Sequence, residues 1–190
     1  MVFYNNGVTP IETDTMTHTK RFKYSESEDL DSKILELDYI GNQISFVIVL
    51  PNQRNGLNSL KQKINTKSFD KALKEMKKRN TEVFLPKFKV EKSYDLMDEI
   101  NPKPIAITRR ANLSGLTSDP LIVCKIKHKV FIDVNERGTE ASAVTAIKIV
   151  PISGEMYFEK LEFRADHPFL YFIRDKMNGI ILFSGKINKF

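Results

Sequence analysis

The chain has 190 residues, 41% of them hydrophobic and 13 of them Phe, which is enough for one core of ordinary globular size and too few for two. Thirty basic residues against 24 acidic ones give a net charge of +6, with the lysines spread along the chain, so no nucleic-acid partner is expected. A single cysteine, Cys124, rules out an intramolecular disulfide and a multi-cysteine zinc site.

Residues 1–15 lack the basic and apolar regions of a signal peptide, and no apolar stretch reaches the length of about 18 residues that a membrane span needs. No membrane partner is expected. Residues 34–37 and 44–50 read as two strands joined at Gly41-Asn42, and the second, closed by Pro51, is apolar enough to be buried on both faces. Leu57, Leu60 and Ile64 recur at helical spacing, and so do Phe69, Ala72, Leu73 and Met76 behind a Ser68 cap, which predicts two short amphipathic helices. The charge run 74–79 reads as the solvated end of the second helix, where cations suit the dipole. Residues 82–90 are extended around Pro86, and residues 94–100 form a helical turn or two before Pro102 and Pro104 stop them.

The clearest strand spans residues 124–135. Cys124, Ile126, His128, Val130, Ile132 and Val134 face one way, while Lys125, Lys127, Lys129, Asp133 and Asn135 face the other. Its length would be roughly 40 Å at about 3.3 Å per residue. In that apolar row His128 is expected to be a hydrogen-bonded structural core residue, and Cys124 a buried, unreactive thiol. After Gly138 the composition changes to small residues over 139–146, then to an apolar run over 147–152, then to Ser153-Gly154. Two last strands, 169–173 and 180–183, are joined at Met177-Asn178-Gly179, whose Asn-Gly is a hairpin signal. The fold class is α+β: mixed and antiparallel sheets with a few short helices.

No constellation for catalysis stands out. The chain has no G-x-S-x-G, no H-E-x-x-H and no Gly-rich phosphate loop, and His18, His128 and His167 have no paired metal spacing. Asp166-His167 precedes Pro168 and an aromatic run, which suggests an ordered turn rather than part of a triad. Neither an enzyme nor a bound cofactor or metal is expected.

The segment VNERGTEASAVTA (134–146) closely resembles the serpin hinge: Glu, a variable residue, Gly, Thr, Glu, then small residues. Other serpin-like blocks stand in order around it: LPKFKVEKSYDL (85–96), ANLSGL (111–116), KHKVFIDVNE (127–136), FRADHPFLYFIRD (163–175) and ILFSGKI (181–187). The resemblance implies that residues 1–190 are the C-terminal half of one serpin domain, without its helical N-terminal half and the first three strands of the main sheet. An exposed reactive loop would run over 136–162. Two departures stand out: Asn101-Pro102-Lys103-Pro104 replaces a longer helix and a Leu-Gly step, and the stretch between Ile152 and Phe163 is longer than in common members.

What the resemblance implies is suicide inhibition of a serine protease, in which the enzyme cleaves the loop, is held as an acyl ester, and the freed loop enters the main sheet as a new strand. The hinge would be Glu136, Gly138, Thr139, Glu140, Ala141, Ser142, Ala143 and Thr145. Insertion needs one face small and uncharged, and Thr139, Ala141, Ala143 and Thr145 supply it, with Glu140, Ser142 and Val144 opposite and no Pro between them. Family spacing puts the scissile bond at Ile152-Ser153, with Val150, Met156 and Tyr157 as alternative sites. Ile suits an elastase-like or chymotrypsin-like target and disfavours trypsin-like and clotting enzymes.

Two other function classes remain in view. One is a non-inhibitory serpin acting as a carrier, storage protein or chaperone, or an inactive truncated fragment. The other is a module binding a sulfated polysaccharide or nucleic acid through Lys125, Lys127 and Lys129. Secretion is the expected localisation, with Asn112-Leu113-Ser114 a glycosylation acceptor, and the cytoplasm is the alternative.

Overall fold

A computed structural model describes residues 1–97, 100, 112–116, 119, 121, 123–136 and 161–190. The chain divides into two compact units, one formed by Met1–Phe88 with Val134–Phe190 and the other by Lys89–Asp133.

The first unit is built on a seven-stranded sheet. A short hairpin of β1 (Val2–Asn5) and β2 (Thr9–Glu12) precedes β3 (Thr15–Ser27), followed by β4 (Ser32–Asp38) and β5 (Ile44–Pro51). Helices α1 (Leu57–Lys63) and α2 (Thr66–Lys74) come next, then β6 (Lys77–Pro86), and β9 (Leu161–Arg164), β10 (Phe169–Asp175) and β11 (Ile181–Ile187) complete the sheet. Its order is β11-β10-β5-β4-β3-β6-β9, antiparallel throughout except for the parallel β6–β9 pair.

The register explains the core. Ile34, Val49 and Leu170 lie across β4, β5 and β10 on one face, where Leu57, Leu60, Phe69 and Ala72 of the two helices cover them. On the other face Phe46 stacks on Tyr171 at 5.6 Å, and Phe88 packs against Phe46, Phe169 and Tyr171. The strand expected over 44–50 is buried on both faces from Ser45 through Pro51, with the polar Ser45 the one break in its apolar run. At the far end of the helix-covered face Glu36 is 3% exposed, and it is neutralised by Lys23 at 2.7 Å, accepts from the Ser45 hydroxyl at 2.8 Å and lies 3.7 Å from Arg174.

Both expected hairpins form. Gly41 and Asn42 take φ of +86° and +55°, the left-handed pair a tight turn needs, and Gly179 takes +70°. The helix cap differs from expectation: Asn65 is the N-cap, accepting from the Ser68 N–H, while the Ser68 hydroxyl accepts from the Asn65 N–H. Ser68 is thus the third residue of a capping box. The charge run also divides differently, because Lys77, Lys78 and Arg79 open β6 and only Lys74 belongs to the helix.

The second unit holds a two-stranded sheet of β7 (Phe88–Asp95) and β8 (Lys127–Val134). Tyr94 and Asp95, expected to open a helical turn, belong instead to β7, and after it the Ile100 N–H bonds the Leu96 carbonyl at 3.1 Å. The strand expected over 124–135 is shorter, eight residues, and Cys124 before it is exposed. His128 is also exposed, contrary to its expected core position. The apolar row of β8 is buried only at Ile132 and Val134, so among the described residues nothing covers the end of the row where His128 stands.

Candidate functional site

The expected loop meets the described structure at its two roots, and the roots are held differently. Glu136 follows β8 and is exposed. Its Oε1 lies 2.6 Å from the Nζ of Lys87, which sits in the one-residue link between β6 and β7 with its N–H bonded to the Asp14 carbonyl at 2.8 Å. The hydrogen bond from Lys87 holds the Glu136 carboxyl below its ordinary value, and the same bond raises the Lys87 ammonium. Both side chains reach solvent, so water and salt screen the pair.

The other root is built into the sheet. Leu161, Glu162, Phe163 and Arg164 pair in parallel with Thr81, Glu82, Val83 and Phe84 of β6. Phe163 is fully buried with its ring edge-on to Tyr24, the Ala165 N–H bonds the Phe84 carbonyl at 2.9 Å, and the Arg164 guanidinium lies 3.9 Å over the Phe84 ring. Beyond it Asp166-His167 forms the ordered turn read from the sequence: Nδ1 of His167 is 2.6 Å from Asp166 and Nε2 is 2.7 Å from the Pro51 carbonyl. Burial pushes the Asp166 carboxyl up, but the His167 hydrogen bond and the charges of His167 and Arg54 outweigh it and leave it lowered.

The N-terminal root leaves β8 two residues after the buried Val134, and the C-terminal root enters β9, so each root continues a strand and the exposed ion pair adds to the first. Among the described residues β7 is the one strand paired with β8.

Gly138, Thr139, Glu140, Ala141, Ser142, Ala143 and Thr145 of the hinge, and the Ile152-Ser153 bond, lie outside the described residues. Of the expected site residues the structure places Glu136 and His128. It adds Lys87, which sequence reasoning missed because an ion pair between residues far apart in the chain leaves no local pattern. Of the lysine stripe Lys125, Lys127 and Lys129, which begins ahead of β8, Lys129 lies 2.6 Å from Glu91 and Lys125 3.9 Å from Asp95. Among the described residues no cluster of His, Cys, Asp and Glu is placed to hold a metal, and no helix is long and apolar enough to cross a membrane.

The family model described as Serpin (serine protease inhibitor) matches residues 1–190. The chain is 40% identical to Iripin-2 of Ixodes ricinus over 190 residues, covering 98% of this chain and 47% of that protein. It is 35% identical to Intracellular coagulation inhibitor 1 of Tachypleus tridentatus over 193 residues, covering 98% and 46%. The fold superposes on thyroxine-binding globulin in complex with thyroxine with a TM-score of 0.81 at 26% identity, covering 100% of this chain and 49% of that one. The chain thus spans about half the length of the curated relatives it matches. With a family match over its whole length and a sheet-rich fold shared with solved members, this chain belongs to the serpin family.

Proposed function

We propose that residues 1–190 are the C-terminal half of one serpin domain, and that the parent protein is a secreted inhibitor of a serine protease and not an enzyme. The observation that carries this reading is that the loop's two roots continue two separate strands, β8 and β9. A loop cut at Ile152-Ser153 would keep its C-terminal side locked to β6 through β9, while its N-terminal side, freed from the Lys87–Glu136 pair, would be able to move alongside β8. The hinge residues Thr139, Ala141, Ala143 and Thr145 would then face the core without burying a charge. An elastase-like or chymotrypsin-like enzyme fits Ile152 best. The exposed Asn112, in its Asn-Leu-Ser acceptor, supports secretion, whereas the name of the Tachypleus relative describes that protein as intracellular.

A second reading, a carrier serpin, is favoured by the likeness to a structure solved with thyroxine bound. The two separate in one experiment on the full-length parent incubated with elastase and with chymotrypsin. Inhibition gives an SDS-resistant covalent complex and a released peptide beginning at Ser153. A new N-terminus outside residues 150–157 would overturn the register, and cleavage with no complex would select the carrier.

A further inference from the structure

Three Asn-Gly pairs stand in the chain, Asn6-Gly7, Asn55-Gly56 and Asn178-Gly179. Such a pair is chemically labile, because glycine has no side chain to shield its backbone nitrogen from the amide carbon of the asparagine before it. The fold treats the three differently. The Gly7 N–H bonds the Tyr4 carbonyl at 2.9 Å, and a Cβ on Gly7 would collide with the Arg54 carbonyl. Asn6 is held as well: its N–H bonds the Asn188 carbonyl at 2.8 Å, and its side-chain oxygen accepts from the Asn188 amide. The Gly56 N–H bonds the Gln53 carbonyl at 2.9 Å, the Gly56 carbonyl accepts from Leu60 of α1 at 2.9 Å, and a Cβ there would lie 2.8 Å from that of Pro51.

At the turn between β10 and β11 the pair is freer. Asn178 and Gly179 are both exposed, and a Cβ on Gly179 would meet nothing within 4 Å. Among the described residues the Gly179 N–H makes no backbone hydrogen bond, unlike those of Gly7 and Gly56. Asn178 is held through Asp175, whose carboxylate accepts from the Met177 N–H at 2.8 Å, from the Asn178 N–H at 3.3 Å and from the Asn178 side-chain amide at 2.7 Å. Lys176 is engaged elsewhere, its ammonium with Asp38 at 2.6 Å and its N–H with the Gln43 carbonyl at 2.8 Å.

We propose that Asn178-Gly179 is a self-modification site, which converts to aspartyl and isoaspartyl forms and so sets a second carboxylate against Asp175 at the tip of the β10–β11 hairpin. The Gly179 nitrogen, having given its proton to a solvent base, attacks Cγ of Asn178. The new C–N bond closes a succinimide ring, and the Cγ–Nδ2 bond breaks with release of ammonia. Water then opens the ring, at Cγ to give aspartate or at the Asn178 backbone carbonyl to give isoaspartate. The sum is one water consumed and one ammonia released, with nothing oxidised or reduced. Either product lacks the amide that donates to Asp175 at 2.7 Å and places like charges at that contact. The isoaspartyl form also adds a methylene to the main chain, inside the loop that the bond from the Asp175 N–H to the Ile180 carbonyl closes at 2.8 Å. The tip of the hairpin should therefore loosen, with Lys176 still tied to Asp38 and Gln43.

The test follows the three pairs by peptide mapping and mass spectrometry while the 190-residue chain stands at mildly alkaline pH, either in buffer or unfolded in urea. In urea, where only the local sequence acts, the three should convert at similar rates. In buffer Asn178 should convert at least about tenfold faster than Asn6 and Asn55, whose hydrogen-bonded turns must first open. Equal rates at the three pairs in buffer, a lead for Asn6 or Asn55, or products of Asn178 without isoaspartate would each overturn the proposal. The effect on Asp175 has its own readout. Its carboxyl lies below the ordinary value of 3.8, first because the Asn178 side chain donates to it, with the charge of Arg174 a smaller contribution. In Asn178→Asp the donor is gone and a like charge faces it, so its midpoint by carboxyl carbon NMR should move up. An unchanged midpoint would show that modification at Asn178 does not reach Asp175, against the proposal.

Discussion

At Glu136 an exposed ion pair with Lys87 holds the residue that follows β8, and its chemistry makes the pair sensitive to acid. The carboxyl titrates below its ordinary value of 4.5 because Lys87 donates to it. A depressed acid contributes stability that is fully present above its unfolded value and is lost as pH falls through the folded one. The hinge root should therefore loosen in acid, below pH 4.5, and remain held at neutral pH. Carboxyl carbon NMR on Glu136 measures this: the wild-type midpoint should lie below that of the Lys87→Met variant, which should return to the ordinary range. Equal midpoints would mean that the pair does not form in solution. His128 shows the opposite lesson at the same scale. Its alternation with apolar neighbours was correctly read, but alternation reports which face a residue shares and not whether anything covers that face.

Among the elements, those whose signals are local were the ones legible in the sequence. The β4–β5 and β10–β11 hairpins declared themselves through Gly41-Asn42 and Asn178-Gly179, and both helices through their apolar spacing. The start of β6 was misread because Lys77 to Arg79 are polar, exposed residues whose strand state comes from pairing with β3, a non-local contact. The parallel β6–β9 pair, which anchors one loop root, was illegible for the same reason. The helix cap is a smaller miss with a measurable consequence. Asn65 and Ser68 satisfy each other's backbone N–H groups at 3.1 and 3.0 Å. Asn65→Ala should cost about 1 kcal/mol in urea unfolding, while Asn65→Ser should retain most of the cap. Equal losses in the two variants would show that α2 depends on its packing and not on the box.

Across the whole molecule, the two edges of the seven-stranded sheet are unlike. β9 ends one side with four residues, of which Glu162 and Arg164 are charged and paired to each other at 2.8 Å. Short, charged strands are poor templates for pairing. β11 ends the other side with Ile181, Leu182 and Phe183 in succession, 46%, 47% and 42% exposed, beside Ile180 at 55%. Because successive side chains point to opposite faces, both faces of this edge are apolar, and its backbone is unpaired among the described residues. In the relatives, which are about twice as long, there is further chain that could cover such an edge; the 190 residues themselves supply no cover among those described. An apolar edge of this kind recruits another strand, and for the isolated chain the strand at hand is β11 of a second copy. The 190-residue protein should therefore self-associate. Light scattering coupled to size-exclusion chromatography should show a mass above 21.9 kDa that rises with concentration. Leu182→Lys places a charge in the middle of the edge and should shift the population toward monomer, whereas Glu162→Lys on β9 should leave it unchanged. A monodisperse wild-type monomer, or equal effects of the two variants, would show that β11 is not the surface through which the chain associates.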